Sequence, residues 1–280
     1  MKTIGVIGSG TMGNGIAHVS ALSGYKVFLM DINEILLDKG LQKIKSNMER
    51  QFSKDKISKD DMENALNNIT GITNLESLVS CDLIIEAATE DVEIKKNIFQ
   101  SLQNICNQET ILASNTSSIS IDLMASITNL PENFIGMHFM NPVPIMKLVE
   151  IIRGSKTSKK TEDKIIKLAK KMGKIPVVCN NSPGFVANRI LIPMINEAIL
   201  AYEEGVASVE SIDKIMTLGM NHPMGPLKLA DFIGLDVVLN ICKILHKDFK
   251  DDKYSPSSLL VNMVESGKLG FKTGEGFYKY

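Results

Sequence analysis

Through the first two thirds of the chain, short apolar runs bounded by turn residues alternate with longer amphipathic stretches. Residues 4–7, 27–30, 82–86, 110–114, 134–139, 147–152 and 175–179 are too short for buried helices and read as strands. Helical periodicity covers 11–23, a stretch beginning near Asn33, 92–105, 121–127 and 159–172. Strand and helix in alternation predict a largely parallel sheet covered by helices on both faces. Between Met30 and Asp82 no convincing strand appears. The segment SNMERQFSKDKISKDDMENAL is charged and periodic, which predicts an inserted helical hairpin projecting from the domain. Beyond Ser182 the alternation stops. Helical patterns over 183–204, 208–218, 235–249 and 257–265 predict a separate all-helical domain. The expected organisation is a Rossmann-type α/β domain over residues 1–182 and a helical domain over 183–280.

The first strand runs directly into Gly8-Ser9-Gly10-Thr11-Met12-Gly13, a helix follows, and the second strand closes on Asp31. A lone G-x-G-x-x-G is a weak signal, but strand, turn, helix, strand and acid together form the dinucleotide-binding fingerprint. Gly8 allows the tight turn, Gly10 lets the backbone approach a pyrophosphate, and Gly13 lets helix and strand pack closely. The amides of Thr11 and Met12 open the helix, whose free N–H groups attract phosphate. Asp31 is placed to accept hydrogen bonds from a ribose diol and would repel a 2′-phosphate. No Arg follows it in Asp31-Ile32-Asn33-Glu34, so NAD is expected rather than NADP.

Composition narrows the remaining classes. With 280 residues the chain can bury a sizeable core, and its formal net charge of -1 gives no basic excess for nucleic acid or an anionic membrane. Cys81, Cys106, Cys179 and Cys242 are scattered and show no metal-ligand spacing, which suits reduced structural thiols. The first strand begins too early for a signal peptide, and no apolar run approaches membrane-spanning length. A cytoplasmic protein without a metal is expected.

Candidate chemistry gathers where strands end, the edge at which open α/β sheets bind ligands. Glu90 follows the strand ending near Ile85, and Asn115-Thr116-Ser117-Ser118 follows the next. His138 ends a third strand, followed by Met140-Asn141-Pro142, and Glu150 lies on the fourth. Histidine titrates near neutrality and can exchange a proton with an alcohol, as hydride removal from the same carbon requires. A neighbouring carboxylate would fix its tautomer and favour the imidazolium. Ser117 and Asn188 are neutral donors and acceptors for a substrate oxygen. Taken singly, each of these residues has an ordinary structural use as core, rim, cap or surface. Arg50, Lys54, Lys56 and Lys59 give the hairpin a basic face, which by charge alone reads as a solvated helix surface.

Several stretches together resemble the L-3-hydroxyacyl-CoA dehydrogenases, especially the short-chain 3-hydroxybutyryl-CoA dehydrogenases. They are GVIGSGTMGNGIA, IEAATED, SNTSS through GMHFMNPVPIMKLVEII, NSPGFVANRIL, HPMGPLKLADFIGLD and the terminal GFKTGEGFY, spread over essentially the whole chain. The resemblance implies interconversion of (S)-3-hydroxyacyl-CoA with 3-oxoacyl-CoA, with His138 as base or acid and Glu150 orienting it. Ser117 and Asn188 would hold substrate oxygens; since Asn188 is in the helical part, the resemblance implies a site that closes between domains. Glu90, Lys95, Asn115 and Asn141 would join the glycine turn and Asp31 as cofactor contacts. Arg50 and Lys54 become candidates for the phosphates of CoA. A homodimer, or an assembly of dimers, built through the helical domain is implied as well. The rivals are a dehydrogenase of a free hydroxy acid or sugar acid on the same plan and, more remotely, a non-catalytic NAD-binding protein.

Overall fold

The computed structural model describes residues 1–280. The chain forms two compact units, Met1–Asn181 and Ser182–Tyr280. In chain order the first comprises β1 (Thr3–Ile7), α1 (Thr11–Leu22), β2 (Lys26–Met30), α2 (Glu34–Phe52), α3 (Lys59–Asn67), β3 (Ile69–Ile72), β4 (Leu83–Glu86), α4 (Val92–Ile105), β5 (Ile111–Ser114), α5 (Ile121–Ala125), β6 (Phe134–Phe139), β7 (Leu148–Arg153), α6 (Lys159–Lys171) and β8 (Ile175–Asn180). The second comprises α7 (Ala187–Glu203), α8 (Val209–Leu218), α9 (Pro226–Ile233), α10 (Leu235–Phe249) and α11 (Ser258–Glu265).

The strands form one sheet in the order β3-β2-β1-β4-β5-β6-β7-β8. All neighbours are parallel except β6 and β7, which are antiparallel. The inner strands β4, β5 and β6 are buried at every position, as unbroken apolar runs covered on both faces must be. The chain leaves β1 toward β2 and β3, then returns to the other side of β1 at β4. That reversal is the switch point where an open sheet offers a ligand crevice. Because β7 runs back along β6, the start of β7 lies beside the end of β6.

Strand β3 departs from the expected pattern. Its sequence, Ile69-Thr70-Gly71-Ile72, is short, polar in the middle and only half buried at the sheet's edge, so it lacks a strand signal. With β3 in place, α2 and α3 become the crossover that delivers it. Asn33 caps α2 by accepting from the amides of Ile35 and Leu36, and Ser58 with Asp61 forms a capping box on α3. The hairpin does not stand clear of the domain: Leu37, Ile44, Met48 and Ala65 belong to the main core. On α2 the spacing of Leu37, Ile44 and Met48, i, i+7 and i+11, makes one apolar stripe that must be covered, and Ala65 joins it from α3.

In the helical unit Ile192, Ile195, Ile199, Leu227, Val238, Leu245 and Leu260 form the core. Helix α7 starts at Ala187 rather than at Pro183. Gly184 (φ 69°) and Phe185 (φ 50°) are left-handed and break the helical path, and burial of the Phe185 ring holds that turn. Helix α9 opens on Pro226, which suits a first helical position, but its cap comes from α8: the Asp213 carboxylate accepts from the amides of Leu227 and Lys228, both at 2.9 Å. No helix is long and apolar enough to cross a membrane.

Candidate active site

The glycine turn between β1 and α1 opens on a cavity of about 1130 Å³. Gly8 has φ 94°, and a Cβ there would lie 2.7 Å from the Ala87 carbonyl oxygen. A Cβ on Gly13 would lie 1.6 Å from the Gly8 carbonyl oxygen, so neither position admits a side chain. Gly10 differs: nothing lies within 4 Å of its would-be Cβ, and the residue lines the cavity. No protein group accounts for a glycine there, whereas a pyrophosphate against the backbone would. Gly10 is also the N-cap of α1 and supplies no side-chain acceptor, which leaves first-turn amides available to an anion. Thr11 and Met12 line the same cavity.

Asp31, at the end of β2, also lines the cavity. Its Oδ2 accepts from the Ser9 amide at 2.9 Å and the Ser9 hydroxyl at 2.7 Å. These bonds fix the carboxylate against the turn and leave Oδ1 to accept from a ribose. The carboxylate thus orders the glycine turn and keeps one oxygen toward the cavity. Across the cavity α2 presents Lys39, Lys43, Asn47 and Arg50, spaced so that they share one helix face. Arg50 is the basic residue singled out in the sequence that reaches this wall, and it donates to Asn47 Oδ1 at 3.0 Å. Lys54 lies past the end of α2, exposed and off the wall, and Lys59 pairs with Glu63 at 3.5 Å. Lys39 and Lys43 were missed as site residues, although their i, i+4 spacing on an amphipathic helix was a usable signal.

At the carboxyl edge of β4 and β5, a buried charge network organises the loop of Ser117. Lys95 is 1% exposed and bonds Glu86 Oε1 at 2.6 Å, with Glu90 Oε2 at 3.4 Å. Glu86 also accepts from the Ala88 amide and, through Oε2, from the Ser114 hydroxyl. Glu90 Oε1 accepts from the Thr116 hydroxyl at 2.6 Å, the Ser117 amide at 2.8 Å and the Ser118 hydroxyl at 3.0 Å; the Ser117 hydroxyl lies 3.2 Å away. Burial opposes ionisation of Glu90, but Lys95 and the Thr116, Ser117 and Ser118 donors outweigh it and hold the carboxyl below its ordinary value. Lys95 and Glu90 thus sit beneath the loop rather than on the cavity wall. Asn115 Oδ1 accepts from the Phe139 amide at 2.9 Å, tying the end of β5 to the end of β6.

The β6–β7 register places His138 directly opposite Glu150. Opposed residues in an antiparallel pair share a face, and here the side chains meet, His138 Nδ1 to Glu150 Oε2 at 2.7 Å. Both residues are buried. A carboxylate at that distance selects the tautomer protonated on Nδ1 and stabilises an imidazolium, the requirement for a histidine that carries a proton. Asn141-Pro142, three residues beyond His138, lines the cavity at the glycine turn, so the histidine–carboxylate pair and that cavity are joined by one loop. In the helical unit Asn188 is the second residue of α7, half buried, with its amide donating to the Gly184 carbonyl.

The model of the 3-hydroxyacyl-CoA dehydrogenase NAD-binding domain matches residues 3–182, and that of the same family's C-terminal domain matches 184–280. The chain belongs to the 3-hydroxyacyl-CoA dehydrogenase family, a family of NAD-dependent oxidoreductases. It is 53% identical over 276 residues to a probable 3-hydroxybutyryl-CoA dehydrogenase of Deinococcus radiodurans, covering 99% of each chain. It is 51% identical over 277 residues to the 3-hydroxybutyryl-CoA dehydrogenase of Clostridioides difficile, again covering 99% of each. Among solved structures, the (S)-3-hydroxybutyryl-CoA dehydrogenase PaaH1 of Ralstonia eutropha superposes with a TM-score of 0.98 at 48% identity, covering 100% of this chain and 99% of that one.

Proposed function

We propose that this protein is an NAD-dependent (S)-3-hydroxybutyryl-CoA dehydrogenase, converting (S)-3-hydroxybutyryl-CoA and NAD⁺ to acetoacetyl-CoA, NADH and a proton, and the reverse. The observation that carries this reading is the buried His138–Glu150 pair at the strand ends, one loop away from the dinucleotide cavity. NAD supplies the hydride acceptor or donor when bound. Gly10, the first-turn amides of α1 and Asp31 hold it by pyrophosphate and ribose, and Asn141 lies on the same wall. His138 takes the proton of the C3 hydroxyl in oxidation and returns it in reduction. Glu150 stabilises the imidazolium formed on the way. Ser117, ordered by Glu90, and Asn188, on α7, hold the substrate's oxygens.

Lys39, Lys43 and Arg50 supply the positive face that the phosphates of CoA require. A free hydroxy acid would have no use for so extended a basic wall. Residues 1–182 serve as the NAD-binding domain, and 183–280 complete substrate binding and dimerise. The exposed Ile190, Ile215, Leu218 and Met220 of the helical unit supply apolar surface for a homodimer to cover. The cytoplasm is the compartment that suits its free thiols: burial raises Cys81 and Cys242 to about 12, which keeps both protonated and unreactive.

Following NADH absorbance with acetoacetyl-CoA and with free acetoacetate tests the substrate class. Turnover of the thioester but not the free acid is expected, and the reverse preference would overturn the reading. Longer 3-oxoacyl-CoA esters in the same assay define the chain-length range, with the four-carbon substrate expected to give the highest kcat/KM.

A further inference from the structure

The loop at residues 140–147 joins the strand of His138 to the strand of Glu150, and its Asn141, Pro142, Val143 and Pro144 form part of the cavity wall. It is folded on itself by the Pro142 carbonyl, which accepts from the amides of Ile145 at 3.0 Å and Met146 at 2.9 Å. It is also seated on α1: a Cβ on Gly15 would come within 2.8 Å of Val143 Cβ and 3.6 Å of Pro144 Cδ.

Lys174, between α6 and β8, makes the remaining hold. Its ammonium donates to the carbonyl of Val143 and, at 2.8 Å, to that of Met146. The residue is 7% exposed, and burial rather than any neighbouring carboxylate dominates its electrostatics. Burial pushes its pKa down, the mark of a cation placed where charge is costly. An apolar side chain of similar length would spare that cost but leave the Val143 and Met146 carbonyls without their donor, so the charge is retained for its directed bonds. What the ammonium does supply is two directed bonds to carbonyls three residues apart, on the segment that also walls the cofactor site.

We propose that Lys174 is a positioning residue for the cofactor: by gripping the carbonyls of Val143 and Met146 it holds the 140–147 loop on α1 and keeps Asn141 and Pro142 in register with bound NAD. The inference rests on the assignment of the cavity to NAD. It concerns binding of the dinucleotide, not the proton transfer at His138.

The test compares the full-length protein with Lys174→Met and Lys174→Arg. NADH affinity is read by fluorescence titration without substrate, together with KM for acetoacetyl-CoA and the thermal midpoint. For Lys174→Met, NADH should bind about tenfold more weakly, the ratio that roughly 1.4 kcal/mol commands. KM for acetoacetyl-CoA should stay within about twofold, since uniform damage to the site would move both. The thermal midpoint should change by only a few degrees, because relief of the buried charge offsets much of the two lost bonds, and Lys174→Arg, which keeps two directed donors, should recover most of the NADH affinity. Unchanged NADH affinity in Lys174→Met would overturn the proposal. So would parallel losses in both ligands with a lower midpoint, or an Arg variant as impaired as the Met variant. Failure of the unsubstituted protein to bind NADH would instead remove the cavity assignment, and the proposal with it.

Discussion

Replacing Glu150 by Gln removes one charge and almost no volume at the point where β6 and β7 hold His138. The carboxylate lies 2.7 Å from Nδ1, and both residues are buried, so bulk water screens the pair weakly. Each charge is spread over its group, which puts their centres roughly 4 Å apart. At an effective dielectric of about 20 that separation corresponds to about 4 kcal/mol between carboxylate and imidazolium, an upper bound on what the substitution can cost the transition state. The lower bound comes from the hydrogen bond itself, because a charge-assisted bond exceeds a neutral one by about 1 kcal/mol. At 1.36 kcal/mol per tenfold in rate, kcat should fall between about fivefold and about a thousandfold. A glutamine that presents its NH₂ to Nδ1 would also select the wrong tautomer, which pushes the result toward the larger figure. Steady-state oxidation of (S)-3-hydroxybutyryl-CoA, with NADH affinity measured separately, reads the effect. Glu150 is not on the cavity wall, so NADH should bind nearly as before. A kcat within about twofold of the unsubstituted protein would refute the argument that the imidazolium forms during the reaction.

Three further outcomes follow from the same geometry. Lys95→Met leaves the Glu86 carboxylate, 0% exposed, without its cation, which should cost about 3–5 kcal/mol and lower the thermal midpoint by roughly 6–20 °C. Adding Glu86→Gln should restore part of that loss, and a single variant as stable as the parent would show that the pair is not needed. Asp31→Ala should weaken NADH far more than NADPH, because it removes a ribose acceptor and a repulsion against the 2′-phosphate while also freeing Ser9; equal weakening of both would count against the ribose contact. Burial, reinforced by Lys174 and opposed by the bond to Gln51, lowers the pKa of His18 in the folded protein. Its contribution is therefore complete above the unfolded value of about 6.5 and is lost as pH falls through the lowered folded value. His18→Gln should narrow the stability gap to the parent between about pH 7.5 and about pH 5.5 in favour of the variant, and a pH-independent gap would sink this assignment.

The dinucleotide turn was legible from residue types alone because its requirements are local. Gly8 needs a positive φ, Gly13 needs room beside the Gly8 carbonyl, and Asp31 ends the next strand, so a window of about thirty residues contains the signal. The inner strands were legible for a similar reason: burial on both faces demands unbroken apolar runs. Strand β3 was not, since an edge strand of four residues is held by its partner β2 and by Leu37 and Leu41, which close over Gly71. Helix α9 offered only Pro226 as a local start signal, because the carboxylate that caps its amides belongs to Asp213, fourteen residues before Leu227.

The same division runs through the site. Residue type and position nominated His138 and Glu150, but only the antiparallel register sets them opposite each other at bonding distance. Glu90 stood out as a polar residue after a strand end, and Lys95 was nominated only by the family resemblance, both as cofactor contacts. That they form the buried base under Ser117 depends on pairing between β4 and β5 and on the placement of α4. Lys174 carried no signal at all, since its partners are backbone carbonyls some thirty residues away and a carbonyl has no residue type to read. Local stereochemistry and burial pattern are written along the chain, and they determined the cofactor and the architecture. Contacts between distant segments obey distance and direction, so the His138–Glu150 pair and the Lys174 bonds to the 140–147 loop were decided only in three dimensions.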